Sequence, residues 1–330
     1  LHYPLRRQRQ MCIRDSVITG GNGFVGRNLI RKLYKNKLVF GDIINISRKN
    51  FVSPFVSHSY RCDLGFTDDF DAQFECLKFV MNKHRPEYIF HLAGKATVKM
   101  DGNEPFEIIQ DNILSTQKVC QWSPKDARVV LASSVIVYGD WLFNPPPSGD
   151  PRYEESYKTE PTSIYGMTKQ ASEGILRYYT SIGKISGVSA RMCATVGRGL
   201  THGVVYDFIK KVLNNPTLEA LGSKPGSTKP YCYINDLVDA LMILSMKKDV
   251  DLEYNIVPDD EISIEEVAKS VMIGLGVSKD IEWLGDAANW KGDNKLISVN
   301  NDRLKSIGWV PRYNSRQAII QAVKDSRIKR

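Results

Sequence analysis

The sequence predicts an α/β fold, in which a doubly wound parallel sheet is followed by a smaller mixed α/β C-terminal lobe. Strand-like runs alternate with amphipathic helical runs from residue 17 to about residue 190, and the alternation loosens after Gly199. The run Tyr88–Leu92 is predominantly apolar, as expected of a strand that is buried on both faces. A glycine-rich turn joins the first strand to the first helix. In such a fold, ligands bind at the carboxyl ends of the strands.

Composition limits the class of protein. The chain has 330 residues, of which 42% are hydrophobic and 25% charged, which indicates a globular protein without a membrane span. The formal net charge of +8 lies partly in two basic ends, which we expect to be solvated rather than to bind nucleic acid. Six scattered cysteines without a Cys-x-x-Cys pair predict reduced thiols in a cytoplasmic protein and no metal site.

Three segments are expected along the chain. Residues 1–16 are basic and lack periodicity, so we interpret them as a disordered extension that does not look native to the fold. Residues 17–190 would form the dinucleotide-binding domain and residues 191–330 the lobe that binds substrate. Within the lobe, residues 232–250 are expected to pack back on the first domain.

The glycine turn has the pattern and the context of a Rossmann-type dinucleotide site. Gly20 would allow the tight turn, Gly23 would let the backbone approach a diphosphate, and Gly26 would let the helix pack closely on the strand. Phe24 and Val25 open the helix, whose N-terminal N–H groups attract phosphate. The turn therefore predicts that NAD or NADP binds here.

The end of the second strand, Ile43–Ser47, bears on the choice between these cofactors. The strand is followed by Arg48 and Lys49, and an arginine at this point accommodates the 2′-phosphate of NADP. Asp42 lies just upstream and would favour NAD if the register of the strand were different. Two surface cations without a ligand role are the alternative interpretation.

The other elements follow from periodicity and capping signals. A third strand is expected to end at Cys62-Asp63-Leu64, and a sixth to cover Ile185–Arg191. His91, within the fourth strand, is expected to be a packed core residue. The remaining predictions are helices at 67–82, 104–121, 203–214 and 314–326, a fifth strand at 128–132, strands near 218–221 and 254–257, and a helix capped by Ser263 and Glu266.

The stretch from Ser163 to Ala171 carries the candidate acid/base pair. Tyr165 and Lys169 are four residues apart, so on a helix they lie on one face, where the ammonium favours the phenolate. Tyr206 and Lys210 have the same spacing within an amphipathic run, where a helix face is the better interpretation. Spacing alone therefore does not identify the catalytic pair.

Several motifs in order supply the missing context. The chain resembles the extended short-chain dehydrogenase/reductases, and within them the nucleotide-sugar epimerase/dehydratase group, from about residue 17 to its C-terminus. The motifs that carry the resemblance are Thr19-Gly20-x-x-Gly23-Phe24-x-Gly26, His91-Leu92-Ala93-Gly94, Ser133-Ser134-x-x-Val137-Tyr138-Gly139, Tyr165-x-x-x-Lys169, Tyr231-Cys232-Tyr233-Ile234-Asn235-Asp236 and Trp290-Lys291-Gly292-Asp293.

The resemblance implies a role for each matching position. Tyr165 would be the acid/base toward a sugar hydroxyl, Lys169 would lower its pKa and bind the nicotinamide ribose, and Ser134 would hydrogen-bond the same sugar oxygen. It also implies a homodimer formed through the helices at about 104–121 and 161–181. The other positions implied to contact the cofactor or shape its site are Asp63, Leu64, Leu92, Ala93, Gly94, Asn112 and Ser133.

The residues after Ser134 favour one reaction over another. Dehydratases of this group have acidic residues there that eliminate water, whereas this chain has Val135 and Ile136, which cannot transfer a proton. A nucleotide-diphospho-sugar 4-epimerase with retained NAD is therefore preferred. An NADPH-dependent reductase of a 4-keto sugar is the alternative, and an inert dinucleotide-binding sensor or RNA-binding protein is a third possibility.

Cations for the substrate diphosphate are expected in the C-terminal lobe. Lys229 stands where relatives have an arginine, and Arg198 is a further candidate. Arg191 and Lys291 are also considered, although each is interpreted more readily as a surface charge. Ala194 replaces an asparagine usual near the diphosphate, and residues 288–289 lack an arginine that relatives have, so the sugar and base stay unassigned.

Overall fold

The computed structural model describes residues 14–65, 70–96, 104–140, 151–247, 251–285 and 294–326. Predictions made for residues 1–13 and for Lys291 and its neighbours at 286–293 lie outside these ranges.

Thirteen strands are formed by the described residues. In chain order they are β1 Ser16–Thr19, β2 Ile43–Ser47, β3 His58–Arg61, β4 Tyr88–His91, β5 Arg128–Ser134, β6 Ser186–Met192, β7 Ala194–Val196, β8 Leu218–Ala220, β9 Thr228–Lys229, β10 Tyr231–Tyr233, β11 Glu253–Ile256, β12 Ile262–Ser263 and β13 Ile281–Trp283.

The helices alternate with these strands. They are α1 Phe24–Lys35, α2 Lys37–Phe40, α3 Phe70–His84, α4 Glu104–Ile109, α5 Ser115–Trp122, α6 Ile164–Ser181, α7 Val204–Asn214, α8 Ile234–Met246, α9 Ile264–Leu275, α10 Asp302–Ser306 and α11 Ser315–Asp325. A π-helical turn, Gln110–Leu114, separates α4 from α5, and a 3₁₀ turn, Val135–Tyr138, follows β5.

Seven of the described strands form one parallel sheet in the order β11-β6-β5-β4-β1-β2-β3. One apolar core, which includes Leu29 of α1 and Leu237 of α8, covers one face of the sheet. A second core, which includes Leu77 of α3, Val119 of α5 and Leu176 of α6, covers the other face. Helices on both faces confirm the predicted doubly wound α/β fold.

The start of the fold and the last strand of the parallel sheet both differ from the prediction. Arg14 pairs with Glu87 at 2.8 Å, and the Asp15 carbonyl accepts hydrogen bonds from the backbone of residues 87 and 88, so residues 14–16 belong to the fold. Interpreting them as part of a foreign extension was wrong. At the other edge, β11 pairs with β6, although residues 254–257 were expected in the C-terminal lobe. The buried β11 follows α8, which completes a crossover between parallel strands.

Two other boundaries were mispredicted. The third strand ends at Arg61 rather than at Leu64, because Asp63 accepts a hydrogen bond from the backbone of Gly65 and turns the chain. The helix expected over 104–121 is interrupted by the π turn. Such turns are often found at functional sites.

The C-terminal lobe consists of short strand pairs and helices. β7 pairs with β10, β9 with β12, and β8 with β13, and the predicted capping box at Ser263 and Glu266 begins α9. Helix α8 contacts α1, β5 and β6, where Lys32 pairs with Asp239 at 2.6 Å and Arg128 donates to the Leu244 carbonyl at 2.8 Å. Among the helices that the structure describes, none combines the length and apolar character needed to cross a bilayer.

Candidate active site

The glycine turn forms a cradle at the N-terminus of α1. Gly20 has a φ of +73°, a conformation that favours glycine, and its carbonyl accepts from the Gly23 N–H at 2.9 Å. A Cβ at Gly26 would lie 2.5 Å from the Gly20 carbonyl oxygen, whereas one at Gly23 would meet only that oxygen, at 3.2 Å. No side chain caps α1 and its first turn has no acidic residue, so the N–H groups of this end suit an anion.

The end of β4 lies against the same turn. The Ala93 N–H donates to Thr19 Oγ1 at 3.1 Å, and a Cβ at Gly20 would lie 2.8 Å from the Ala93 nitrogen. A Cβ at Gly94 would lie 2.6 Å from Asn112 Oδ1 and 3.4 Å from Lys169 Nζ. The structure therefore brings Gly94 next to Lys169, and only a residue without a side chain fits there.

Asn112 lies in the π turn, and its side chain links this turn to the segment after β4 and to α6. Its Oδ1 accepts from the Lys95 N–H at 2.9 Å, and its Nδ2 donates to the Lys95 carbonyl at 3.1 Å and to Thr168 Oγ1 at 2.9 Å. These bonds occupy the amide within the protein. Asn112 therefore fixes the segment after β4 relative to α6, in agreement with the architectural role predicted for it.

Ser134, Tyr165 and Lys169 come together at the carboxyl end of β5. The Ser163 hydroxyl caps α6, accepting from the Gly166 N–H at 3.1 Å, so Tyr165 lies in the first turn and Lys169 one turn later. The Ser134 hydroxyl accepts from the Ile136 N–H at 3.3 Å and lies close enough to Tyr165 to lower the pKa of its phenol. Lys169 Nζ lies 5.8 Å from the Tyr165 ring centroid and donates to the Ala132 carbonyl at 2.9 Å.

Burial shifts the pKa values of this pair in opposite directions. Burial raises the pKa of Tyr165 to about 12, and the hydrogen bond with Ser134 lowers it only in part. Burial also lowers the pKa of Lys169 to about 8, against the opposing charge of Glu173. Burial is therefore the main cause of the raised pKa of Tyr165, and the lowering of this pKa by Lys169 stays a prediction.

A buried ion pair lies one turn beyond Lys169 and was missed. Glu173 and Arg191 form two parallel hydrogen bonds of 2.9 and 2.8 Å, with both side chains 3% exposed. Ser133 donates to Glu173 at 2.6 Å, and Arg191 donates to Tyr138 at 2.9 Å. Interpreting Arg191 as a surface charge was wrong, and the Ser133 hydroxyl is used inside the protein. The glutamate four residues after Lys169 was the available signal.

His91 is buried, as predicted, and its tautomer follows from its partners. Thr19 Oγ1 accepts from the Ala93 N–H, so its own proton goes to His91 Nδ1 at 2.7 Å. The Nε2–H then faces Thr116 Oγ1 at 3.2 Å and Ser115 Oγ at 3.3 Å, and both hydroxyls donate elsewhere. Burial lowers the pKa of His91 to about 3, so the ring is neutral.

The polar side chains of Asn22, Ser47 and Arg48 lie at the end of β2, and we call this group the polar corner. The strand itself contributes no carboxylate to it. Ser47 Oγ donates to the Lys49 carbonyl at 2.9 Å and lies 3.2 Å from Asn22 Oδ1. Arg48 is exposed and donates to Asp111 Oδ2 at 3.1 Å. Asp63 and the buried Leu64, predicted to lie at the adenine, follow the neighbouring strand β3.

The predicted substrate cations lie apart from one another in the C-terminal lobe. Arg198 follows β7, where its carbonyl accepts from Asn28 at 3.1 Å, and it lines a cavity of about 360 Å³ together with Phe24. Lys229 lies on β9, which pairs with β12. Tyr206 and Lys210, the pair with the same spacing, stack at 4.3 Å on α7, and Tyr206 lines the same cavity as Arg198.

No cluster of three or more His, Cys, Asp or Glu side chains in the described ranges is arranged to hold a metal ion.

Comparison with known proteins gives a consistent result. The family model for the NAD dependent epimerase/dehydratase family matches residues 16–257. UDP-glucuronic acid decarboxylase 5 of Arabidopsis thaliana is 26% identical over 345 residues, covering 99% of this chain and 93% of that protein. A crystal structure of a UDP-galactose 4-epimerase is 27% identical with a TM-score of 0.76, covering 94% of this chain and 98% of its own.

The fold also matches that of the Thermus thermophilus UDP-glucose 4-epimerase in complex with NAD. That comparison has a TM-score of 0.80 at 22% identity and covers 94% of this chain and 98% of the other. The match of the family model begins at β1 and ends just after β11, so it spans the whole parallel sheet and most of the chain. The resemblance inferred from the motifs is thereby confirmed, and the chain belongs to the NAD dependent epimerase/dehydratase family of enzymes.

Proposed function

We propose that the protein is a nucleotide-diphospho-sugar 4-epimerase that oxidises its substrate transiently to a 4-keto sugar with tightly bound NAD. The observation that carries this proposal is the grouping of Ser134, Tyr165 and Lys169 at the end of β5, where the chain continues as Val135-Ile136. The site thus offers one group for the proton of one hydroxyl, which is what a 4-epimerase requires.

The residues present suit a dinucleotide. The uncapped start of α1 and the side-chain-free backbone at Gly23 would hold the diphosphate, and Gly94 places the segment after β4 directly against Lys169, where the nicotinamide end would lie. When bound, NAD supplies the hydride acceptor and donor for the sugar carbon. We propose as its contacts Gly20, Gly23, Phe24, Val25, Gly26, Arg48, Asp63, Leu64, Leu92, Ala93, Gly94, Asn112, Ser133, Tyr165 and Lys169.

Proton transfer would be carried by Tyr165. With a pKa of about 12 the phenol is protonated at neutral pH, so it first acts as a hydrogen-bond donor beside Ser134. It becomes a base only when positive charge compensates the phenolate, and the Lys169 ammonium one helical turn away is such a charge. Ser134 holds the sugar oxygen in line with the phenol.

Elimination of water from the sugar would need a second acid/base. Val135 is 3% exposed and Ile136 is partly buried, and neither carries a proton. In the described residues of this strand end, Ser134 is the side chain with an exchangeable proton next to Tyr165. This argues against dehydration. The same observation does not separate epimerisation from decarboxylation of a uronic acid sugar, because a 4-keto uronic acid is a β-keto acid that can lose CO₂ without a further acid/base residue.

One observation favours a second candidate, the NADPH-dependent reduction of a 4-keto sugar. Strand β2 ends in Ser47, is followed by Arg48 and carries no acidic residue of its own for the ribose hydroxyls, a pattern typical of NADP sites. Such an enzyme would release its cofactor after each turnover.

The substrate diphosphate is proposed to contact Arg198 and Lys229. Both belong to the lobe that follows the parallel sheet, and Arg198 lines the cavity that Phe24 of the glycine turn also lines. Their two charges would offset those of the diphosphate, while the base and the sugar stay unassigned.

A homodimer is proposed through α4 and α6. Phe106, Ile109, Met167 and Tyr178 of these helices are 65%, 42%, 52% and 59% exposed. Large apolar side chains this exposed on neighbouring helices are typical of an interface.

The experiment is mass spectrometry of the purified protein for bound NAD or NADP, followed by incubation with UDP-glucose, UDP-galactose, UDP-N-acetylglucosamine and UDP-glucuronic acid. We expect bound NAD and a C4 epimer of one sugar. Tyr165→Phe should lower kcat by about 10²–10⁴-fold. Tyr206→Phe, at the duplicate spacing, should lower kcat far less than Tyr165→Phe, because its contact with Lys210 uses the ring face, which phenylalanine keeps.

The outcomes separate the candidates. Stoichiometric NADPH consumption with a 4-keto sugar nucleotide would replace the epimerase by the reductase, and release of CO₂ from UDP-glucuronic acid would replace it by a decarboxylase. A folded, cofactor-loaded protein that converts none of these sugars would refute the enzymatic proposal.

A further inference from the structure

Arg48 is the cation at the polar corner where the adenosine ribose of a dinucleotide would lie. Its side chain is 60% exposed, and its Nη1 donates to Asp111 Oδ2 at 3.1 Å. Asp111 is 63 residues away in the π turn, and its own side chain is only 15% exposed. The cation expected to select NADP is therefore already engaged by a carboxylate of the protein.

Asp111 is held firmly in this position. Its carbonyl accepts a hydrogen bond from Ser115, and the next residue, Asn112, is tied to Lys95 and Thr168. These bonds fix the backbone from which the carboxylate extends, and the carboxylate itself is largely buried. Arg48, on the exposed loop after β2, is the mobile partner of the pair.

A second carboxylate lies beside the first. A Cβ at Gly65 would lie 2.4 Å from Asp111 Oδ1 and 3.3 Å from Asp63 Oδ1, so the two acids face the same small space. Their like charges raise the pKa of Asp111, together with its burial, which is the largest cause, and Arg48 opposes this. The corner therefore contains two carboxylates close to the guanidinium.

We propose that Asp111 is a specificity-determining residue for the cofactor, which holds Arg48 away from a 2′-phosphate and so favours NAD over NADP. The inference rests on the proposed binding of a dinucleotide. A 2′-phosphate with about two negative charges would have to displace Asp111 from Arg48 and would then lie near two carboxylates. A ribose 2′-hydroxyl is neutral, and it can bind at this corner while the ion pair stays closed.

The size of the effect follows from the exposure of the pair. An ion pair with one exposed partner contributes about 0–1 kcal/mol in water, so Asp111 tunes the preference rather than setting it absolutely. Asp111→Asn keeps the shape and removes the charge. We expect it to tighten NADP binding by up to about fivefold at low ionic strength and to change NAD binding by less than about twofold.

The test is isothermal titration of the cofactor-free protein with NAD and NADP, which measures binding independently of turnover. Arg48→Met should weaken NADP binding, and the double variant of Arg48→Met with Asp111→Asn should lose the gain seen for Asp111→Asn alone. Glu107→Gln is the matched control. Glu107 pairs with Lys95 at 2.7 Å on the neighbouring helix α4, so its loss removes a charge without releasing Arg48.

Each outcome is decisive. An unchanged ratio of NADP to NAD affinity in a folded Asp111→Asn variant would overturn this inference and leave the proposed function intact. The inference would also be overturned if Glu107→Gln or the double variant gained as much NADP affinity as Asp111→Asn, since the effect would then not act through Arg48. If neither dinucleotide binds the wild-type protein, both the inference and the proposed function fail.

Discussion

The buried His91 makes the stability of this protein depend on pH in a calculable way. Its ring is 2% exposed and faces the hydroxyl groups of Thr19, Thr116 and Ser115, and the loss of solvation disfavours a positive charge on it. Burial lowers its pKa from 6.5 to about 3. In the unfolded chain the same ring takes up a proton below pH 6.5, so protonation favours unfolding and stability falls as the pH decreases.

The magnitude follows from the two pKa values. Each pH unit below 6.5 costs about 1.4 kcal/mol until the folded ring itself titrates near pH 3, which gives about 2 kcal/mol at pH 5. At pH 7 the contribution is close to zero. His91→Gln cannot titrate, so between pH 7 and pH 5 the wild type should lose about 2 kcal/mol more of its unfolding free energy than this variant.

The assay is urea denaturation of both proteins at pH 7 and pH 5. His202→Gln, at an exposed histidine of the lobe, controls for the loss of any histidine. Nitrogen-15 spectra of labelled histidine should also show one ring keeping the neutral Nε2–H form at pH 5. Equal losses in wild type and His91→Gln, together with a ring that protonates near pH 6.5, would refute the burial argument.

Three further predictions concern the site and the interface. Gly26→Ala should destabilise the fold by about 1–3 kcal/mol and weaken dinucleotide binding, because its Cβ would meet the backbone of Gly20 at 2.5 Å. Gly174→Ala is the control: its Cβ would meet nothing within 4 Å, so thermal melts should show no destabilisation. Because burial lowers the pKa of Lys169 to about 8, kcat/KM should fall above that pH, and Lys169→Arg should remove this decline from the pH profile if it retains activity. Tyr178→Asp should convert a dimer to a monomer in light scattering, and an unchanged mass would exclude α6 from the interface.

Local patterns in the sequence were sufficient for much of the fold. Strand β2 was predicted with its observed bounds, and the box at Ser263 and Glu266 with its observed geometry. The juxtaposition of Tyr165 with Lys169 follows from helix geometry, and only the order of the motifs favours this pair over the one at Tyr206. These features depend on residues within a few positions of each other, which is why the sequence alone could specify them.

Edges and interruptions were not predictable in the same way. β3 is an exposed edge strand, so it lacks the apolar run that marks a buried strand, and its end was placed three residues too late. β11 joins the main sheet because α8 returns the chain to β6, which no local pattern indicates. The π turn at Gln110–Leu114 looks helical in sequence and becomes distinct only through the contacts of Asn112.

What the sequence determined by itself is the class of fold, the glycine turn and the identity of the residues that can transfer a proton. The tertiary structure decided how those residues are charged and which cations are available. Glu173 pairs with Arg191 from another element, and Arg48 with an aspartate 63 residues away. Burial in the assembled core, rather than the nearby lysine, dominates the pKa of Tyr165. The loss of solvation at buried groups and the pairing of charges that are distant in sequence arise only when the chain folds. Both depend on which surfaces the topology brings together.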